Sequence, residues 1–328
     1  MADVAKEAGV SHQTVSRVLN DHPNVRADTR ARVEAAITRL GYRRNLVARA
    51  LATKRSRTLG VVSFDTTLYG PASTIYGIEQ AARTAGYFVS IVSLKSIDAA
   101  GVRDAIDYLA EQGVDGVVVV APQRSAARAL ESLPPGIPAV AVEGTSHEPG
   151  VSVVCIDQVE GAKRATRHLL EQGHETVWHV SGPSDWLETE GRLEGWRAAL
   201  QEAGRPVPEP LAGDWSPRAG YEAGKSLAAL DGVTAVFAGN DQMALGVLRA
   251  LSEAGVRVPG QISVVGFDDI PESEFFSPPL TTVRQDFDVV GRYCIEVLLR
   301  QIDAGPASHE RLVVKPGFVV RSSTAPRP

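Results

Sequence analysis

The chain has 328 residues, 44% of them apolar and 22% charged, with a net charge of −5 and two cysteines. That length suggests two or three domains. No run of about 18 apolar residues and no charged-then-apolar leader is present, which excludes a membrane span and a secretory signal and leads us to expect a cytoplasmic protein. Cys155 and Cys294 lie in apolar stretches without a second thiol or histidine at metal spacing, so buried free thiols, and no metal or cofactor, are expected.

The modest net charge conceals an asymmetry. Residues 1–57 carry twelve Lys and Arg against five Asp and Glu, a balance of +7, which leaves −12 for the rest of the chain. A basic head on an acidic body suits a polyanion-binding module joined to a separate regulatory domain, because phosphate neutralisation supplies most sequence-independent affinity for DNA. A merely solvated basic face has the same charge, so the local pattern has to decide.

Residues 3–9 (DVAKEAG) put Val4, Ala5 and Ala8 on one helical face and end at Gly9. Ser11 suits the N-cap of a second helix, His12 to Asn20, with Val15, Val18 and Leu19 inward and His12, Gln13, Ser16 and Arg17 outward. A third helix is predicted from about Asp28 to Leu40, with Val33, Ala36, Ile37 and Leu40 inward and a stop at Gly41. Three short helices with Gly-Val-Ser in the first turn make a helix-turn-helix, whose second helix enters the major groove by its N-terminal residues.

The run DVAKEAGVSHQTVSRVLN, followed by TRARVEAAITRLGYRRN and ARALATKRS, resembles the DNA-binding head and hinge of the lac repressor family over about fifty positions. The resemblance implies a sequence-specific repressor on palindromic double-stranded operator DNA, with His12, Gln13 and Arg17 as base readers. The chemistry agrees, since Gln can pair with adenine N6/N7 and Arg with guanine O6/N7. Ser11, Thr14, Ser16, Asn20, Asn24 and Thr29 would hold phosphates and fix register. Tyr42, Asn45 and Ala48 complete the expected DNA-contacting set. His12 stands where the family's type member has tyrosine, so the operator sequence does not carry over. Asn45 to Thr53 reads as a short hinge helix, too short to be stable alone; in the family it orders on operator, and Leu51 stands at the position that wedges a base step.

From Thr58 onward, β-rich apolar runs (TLGVVSF, YFVSIVSL, VDGVVVVAP, PAVAVE) alternate with helical stretches such as Ser73 to Gly86 and Asp98 to Gly113. A second series opens near Val153 and includes TVWHVSG, TAVFAGN and ISVVGFDD. Continuous apolar strands between helices indicate parallel sheets covered on both faces, and two series indicate two doubly wound lobes. Ligands in such sheets sit at the carboxyl ends of the strands, here facing a shared cleft. The expected fold is therefore an all-α helix-turn-helix head (1–44), a hinge and linker (45–57) and an α/β body (58–328).

The body, through GNDQMALGVLRALSEAGVRVPGQISVVGFDDIP and PPLTTVRQDFDVVGR, is similar to the family's regulators and to periplasmic sugar-binding proteins. In that fold the chain crosses between lobes three times, which implies an N-lobe of about 58–156 and 287–314 and a C-lobe of about 157–286 and 315–328. Candidate effector residues are Phe64, Asp65 and Leu68 after the first body strand, with Pro71 beside them. Glu143, Trp186, Glu188, Arg192, Trp215, Asn240, Asp268 and Gln285 follow, with Phe287 beside a crossover. Of these, Leu68, Arg192, Trp215, Asn240, Asp268, Gln285 and Phe287 match ligand-contacting positions of the family. Asp, Asn and Arg can share vicinal hydroxyls while Trp and Phe cover the apolar face of a sugar ring. Core burial is not expected for Asp268, because lone carboxylates are rarely buried unpaired; Asp269 is read as a helix cap or surface residue. Phe64, Val120, Ile156 and Glu143 depart from the type member, and Trp186 adds an aromatic in a loop, which favours a di- or oligosaccharide.

An enzyme is disfavoured: the sequence has no GxGxxG after a strand, GxxxxGK[ST], HExxH or GxSxG. A transport-type sugar binder would lack the basic head, and a repressor using a purine or phosphosugar as co-repressor is the remaining alternative. The expected assembly is a homodimer, since a palindrome requires a two-fold partner and the tail VVRSSTAPRP has no leucine heptads. Helix 1 opens at Met1-Ala2-Asp3 without a Ser or Thr cap, so either a weaker head or an upstream start is expected.

Overall fold

The computed structural model describes residues 1–19, 21–42, 55–64, 67–94, 99–120, 122–124, 136–142, 151–305 and 310–327. They form two compact units, Met1–Ser56 and Arg57–Pro328. Asn20, Asn45, Ala48, Leu51, Asp65 and Glu143, and the expected hinge helix, lie outside the described residues.

The first unit contains α1 (Ala2–Ala8), α2 (His12–Leu19) and α3 (Ala27–Arg39). Val4, Val15, Val18, Val33 and Ala36 form its core, with Ala5 and Ala8 beside them. Ser11 caps α2 by accepting from the Thr14 amide at 3.1 Å, whereas Met1 gives α1 no side-chain cap. The third helix ends in a Schellman motif: the Tyr42 amide donates to Ile37 O (3.0 Å) and the Gly41 amide to Thr38 O (3.2 Å). Gly41 sits at φ 56°, where a side chain would be strained. This turn corrects one expectation. Leu40, expected inward, is 45% exposed, because the reversal at Gly41 brings Tyr42 onto the core instead.

The second unit is built on two six-stranded sheets. The first comprises β1 (Thr58–Phe64), β2 (Phe88–Leu94), β3 (Gly116–Val120), β4 (Ala139–Val142), β5 (Ser152–Ile156) and β11 (Arg311–Val314), in the order β11-β5-β4-β3-β1-β2. Its helices are α4 (Tyr69–Thr84), α5 (Ala99–Glu111) and α10 (Phe287–Ala304). In the second sheet, β6 (Trp178–Ser181), β7 (Leu211–Ala212), β8 (Ala235–Ala238), β9 (Ser263–Asp268), β10 (Thr281–Arg284) and β12 (Gly317–Val319) run in the order β12-β10-β9-β8-β6-β7. It carries α6 (Gln158–Glu171), α7 (Leu187–Glu202), α8 (Pro217–Ala228) and α9 (Asp241–Glu253). Pairing is parallel throughout except β10 with β12. Central strands such as β3, β5 and β8 are buried along their whole length, as expected of parallel strands covered on both faces. Cys155 and Cys294 are buried free thiols.

The chain passes between the two sheets after β5, after β10 and after β11, so the lobes share three short crossings. The loop expected around Leu68 and Pro71 is instead the start of α4, because proline in a first helical turn lacks only an N–H that would have no partner anyway. Close packing holds the middle of that helix. A Cβ on Gly291 would lie 2.2 Å from the Gly77 carbonyl carbon, and one on Gly77 2.5 Å from Phe287 O, so α4 and α10 cross backbone to backbone. No described helix is long and apolar enough to cross a membrane.

Candidate functional site

Between the two sheets of the second unit lies a cleft of about 280 Å³, near the lower end of the range usual for small-molecule sites, about 300–1,000 Å³. Leu68, Trp186, Glu188, Arg192, Trp215, Asn240, Asp268, Gln285 and Phe287 line it, joined by Tyr69, Thr74, Pro122, Val142 and Gln242, which sequence reasoning did not single out. Phe64 is absent from that lining; at the end of β1 it packs against apolar clusters of both lobes.

The floor is polar and almost fully buried. Arg192, 4% exposed, donates from Nε to Gln158 Oε1 (2.9 Å) and from Nη1 to Gly239 O (2.5 Å). Its guanidinium lies 3.9 Å above the Phe267 ring and 5.1 Å from the Trp215 ring. Asp268 is buried, contrary to expectation, because it is not alone: Gln285 Nε2 donates to Oδ1 at 2.7 Å and Arg192 Nη2 stands 3.6 Å from the same oxygen. Burial pushes Asp268 up to about 6 in spite of Arg192 and Gln285. Behind it Asp241, held by Thr282 Oγ1 (2.6 Å) and the Ile270 amide (2.9 Å), is raised well above the carboxylate range, first by burial and then by Asp268. The neighbouring Asp269 is neither cap nor surface residue. It accepts from Arg284 Nε (2.6 Å) and Arg321 Nη2 (2.7 Å), and although burial pushes it up, these two bonds hold it below its usual value.

The remaining walls are aromatic and helical. Trp186 packs edge-on against Trp215, with ring centroids 5.6 Å apart at 71°. It ends the loop after β6 in extended backbone, as the N-cap residue of α7. Gln123 and Trp186 form an isolated antiparallel bridge between the lobes, with Arg124 N donating to Asp185 O (3.1 Å) and Leu187 N to Pro122 O (2.8 Å). Asn240 caps α9 through Oδ1 to the Met243 amide (2.8 Å) and donates from Nδ2 to Trp215 O (3.1 Å), which ties its amide to the Trp215 backbone. Phe287 meets Tyr69 edge-on at 5.9 Å. Trp215 and Asp268 both have positive φ, 71° and 111°. Such backbone costs about 1–3 kcal/mol per residue and clusters at functional sites. Among the described residues no group of three or more His, Cys, Asp or Glu is placed to hold a metal ion.

In the first unit, Ser11, His12, Gln13, Arg17 and Asn24 are exposed, and Thr14, Ser16, Thr29 and Tyr42 half-buried. The Ser11 hydroxyl is engaged in capping and with Thr14 Oγ1 (2.9 Å). Arg30 is paired with Asp21 (2.7 Å) and Arg39 with Glu7 (2.9 Å), so part of the head's basic charge is already compensated.

The profile of bacterial regulatory proteins of the lacI family matches residues 1–45, and that of the periplasmic binding protein-like domain matches residues 166–324. The chain is 34% identical to the lactose operon repressor of Escherichia coli (strain K12), covering 98% of this chain and 89% of that one. It is 32% identical to the ribose operon repressor of the same organism (98% and 99%) and 34% identical to the HTH-type transcriptional repressor PurR of Haemophilus influenzae (98% and 97%). Among solved structures, the lac repressor dimer bound to operator and the anti-inducer ONPF superposes with a TM-score of 0.87 at 32% identity, covering 98% of both chains. The complex of transcriptional regulator CelR with cellobiose gives 0.73 at 33% identity, again covering 98% of both.

Proposed function

The chain belongs to the LacI family and is a transcriptional repressor, and from that premise we propose that it binds palindromic operator DNA as a homodimer and is released by a small neutral saccharide, a disaccharide first of all. The observation that carries this reading is the composition of the cleft: a hydrogen-bonding floor of Arg192, Asp268, Gln285 and Asn240 beneath Trp186, Trp215 and Phe287. Neutral hydroxyls can both donate to the carboxylate and accept from the guanidinium, and aromatic faces cover the C–H side of a pyranose. Two features disfavour the alternatives. The two tryptophans meet edge to face, which provides no parallel slot for a purine. Among the described lining residues the single cation, Arg192, is balanced by Asp268 and Glu188, which provides no excess positive charge for a phosphosugar.

Calorimetry on the full-length protein with cellobiose, lactose, ribose, hypoxanthine and glucose 6-phosphate tests the assignment. A neutral disaccharide is expected to bind, and the same compound should weaken retention of genomic operator fragments in a gel shift. By linkage, DNA must weaken sugar binding by the same factor, typically about 5- to 150-fold. Binding of hypoxanthine or the phosphosugar alone, or a ligand that tightens DNA binding, would reject this reading.

Exposure of His12, Gln13 and Arg17 on α2 supports the proposed base readers. Arg17→Ala should cost about 1–3 kcal/mol on the preferred site and relax preference at one base, with sugar binding untouched. Equal weakening on all sequences in a binding-selection assay would make Arg17 a phosphate contact instead.

A further inference from the structure

We propose that Gln158, which no sequence argument singled out, is a positioning residue for the cleft: its amide links Arg192 to Gln285 and so fixes Gln285 in the orientation that donates to Asp268. The inference rests on the cleft being the effector site, but its central test does not. Gln158 is 6% exposed. Its Oε1 accepts from Arg192 Nε at 2.9 Å and its Nε2 donates to Gln285 Oε1 at 2.9 Å. Gln285 Nε2 then donates to Asp268 Oδ1 at 2.7 Å, and Arg192 Nη2 closes the ring 3.6 Å from that oxygen.

Chemistry gives this ring a single sense. Arginine only donates and an ionised carboxylate only accepts, whereas each glutamine amide has one end of each kind. With Arg192 at one end, Gln158 must turn its oxygen toward the guanidinium. Its NH2 then faces Gln285, which must answer with its own oxygen and present its NH2 to Asp268. Without Gln158, Gln285 could rotate its amide by half a turn when Asp268 takes up a proton and accept that proton with its oxygen, which would favour the protonated carboxyl. Gln158 thus acts on Asp268 through Gln285, without itself lining the cleft.

Its seat is built for it. Gln158 opens α6 directly behind the crossing at Asp157, whose side chain caps that helix at the Glu160 amide (2.9 Å). Gln285 directly precedes Asp286, which caps α10 at the Val289 amide (3.0 Å) on the far side of the next crossing. The two crossings therefore carry mirrored dipeptides, Asp-Gln and Gln-Asp, and the glutamine pair ties them together. On α7, a Cβ at Gly191 would lie 2.7 Å from the Gln158 Cβ, so the residue beside Arg192 leaves room for the Gln158 stem.

The test reads the Asp268 carboxyl by carbon-13 NMR titration of the full-length, ligand-free protein. Ionisable groups coupled to it include Arg192 on α7, Asp241 on α9 and Tyr69 on α4, and Glu188 on α7 lines the same cleft; all are present in every variant. Gln158→Met keeps the volume and removes both bonds; the Asp268 midpoint should rise by about half a pH unit or more as its fixed donor is lost. Gln285→Met should raise it at least as far, and adding Gln158→Met to that variant should raise it no further. An unchanged midpoint in Gln158→Met, or a shift that adds in full in the double variant, overturns the proposal, because a residue that merely packs would act independently of Gln285. If Gln158→Met melts early, Gln158→Asn, which keeps an amide one methylene too short to reach both partners, should give the same upward shift; an unshifted midpoint there also overturns it. Cellobiose that binds the wild type should bind Gln158→Met about five- to tenfold more weakly, and equal affinity counts against positioning. If no sugar binds the wild type, the effector reading fails while the titration still decides the role of Gln158.

Discussion

Arg192→Ala should lower the stability of the second unit by about 3–5 kcal/mol, the usual cost of removing one partner from a buried ion pair. Three losses coincide in this variant. Asp268 stays buried without its cation, Gly239 O and Gln158 Oε1 lose their donors, and the Phe267 ring loses the guanidinium stacked 3.9 Å above it. The measurement has a built-in probe, since all four tryptophans, 178, 186, 196 and 215, lie within one stretch of the second unit and report on it rather than on the head. Urea unfolding followed by tryptophan fluorescence should show the transition moved to lower denaturant. Arg192→Lys restores charge but not the planar fork, so it should recover only part of the loss. Glu202 makes a useful control: its bonds to Lys163 and Arg167 are solvent-exposed, and Glu202→Gln should leave the transition nearly in place. A shift in Arg192→Ala no larger than that of the control would mean that water replaces the guanidinium at little cost, and the floor of the cleft would then not be a stability element.

The architecture was legible where the sequence signal is local. Ser11 as a cap, the Val15/Val18 stripe and Gly41 as a stop each mark the head by neighbouring residues, and continuous runs such as GVVVV in β3, alternating with helical stretches, read as parallel strands covered on both faces. Strands of two to four residues, β7, β11 and β12, carry no readable period. The start of α4 was hidden because Pro71 reads as a loop signal until the helix is known to begin two residues earlier. Most of the aromatic and charged residues of the cleft were reachable through family resemblance. Their state was not. Whether Asp268 is exposed or buried depends on Arg192 and Gln285, which arrive from other elements, and the same holds for Asp269 with Arg284 and Arg321. Gln158 and Tyr69 escaped because a glutamine or tyrosine at a helix start has many ordinary explanations. The one sequence trace of Gln158 was the Asp-Gln and Gln-Asp pair at 157–158 and 285–286.

Asp268→Asn should leave operator binding intact and weaken the effector about 10- to 100-fold at pH 7.5, giving a repressor that no longer responds. Hydrogen bonds to a charged group contribute about 1.5–3 kcal/mol, more than those to a neutral amide, and a ligand shifts a conformational equilibrium only through its differential affinity for the two states. The wild type adds a pH signature. Asp268 is raised to about 6, so it is ionised at pH 7.5 and becomes protonated as pH falls through 6. The protonated form has lost its charge and some of its capacity to accept, so sugar affinity should fall with decreasing pH, by at most about tenfold per unit below 6. The sign for folding is opposite. A carboxyl raised above its unfolded value contributes stability that is fully present below about 4 and is lost as pH rises through 6; the same titration that strengthens effector binding therefore withdraws that contribution to folding. Asp268→Asn has no proton to exchange, and its sugar affinity should be flat from pH 5 to 7.5. Calorimetry at four pH values on wild type and variant separates the outcomes. A wild-type affinity independent of pH, or a variant that binds as tightly as wild type at pH 7.5, would remove Asp268 from the effector contacts and reopen the alternative of a ligand held chiefly by the aromatic walls.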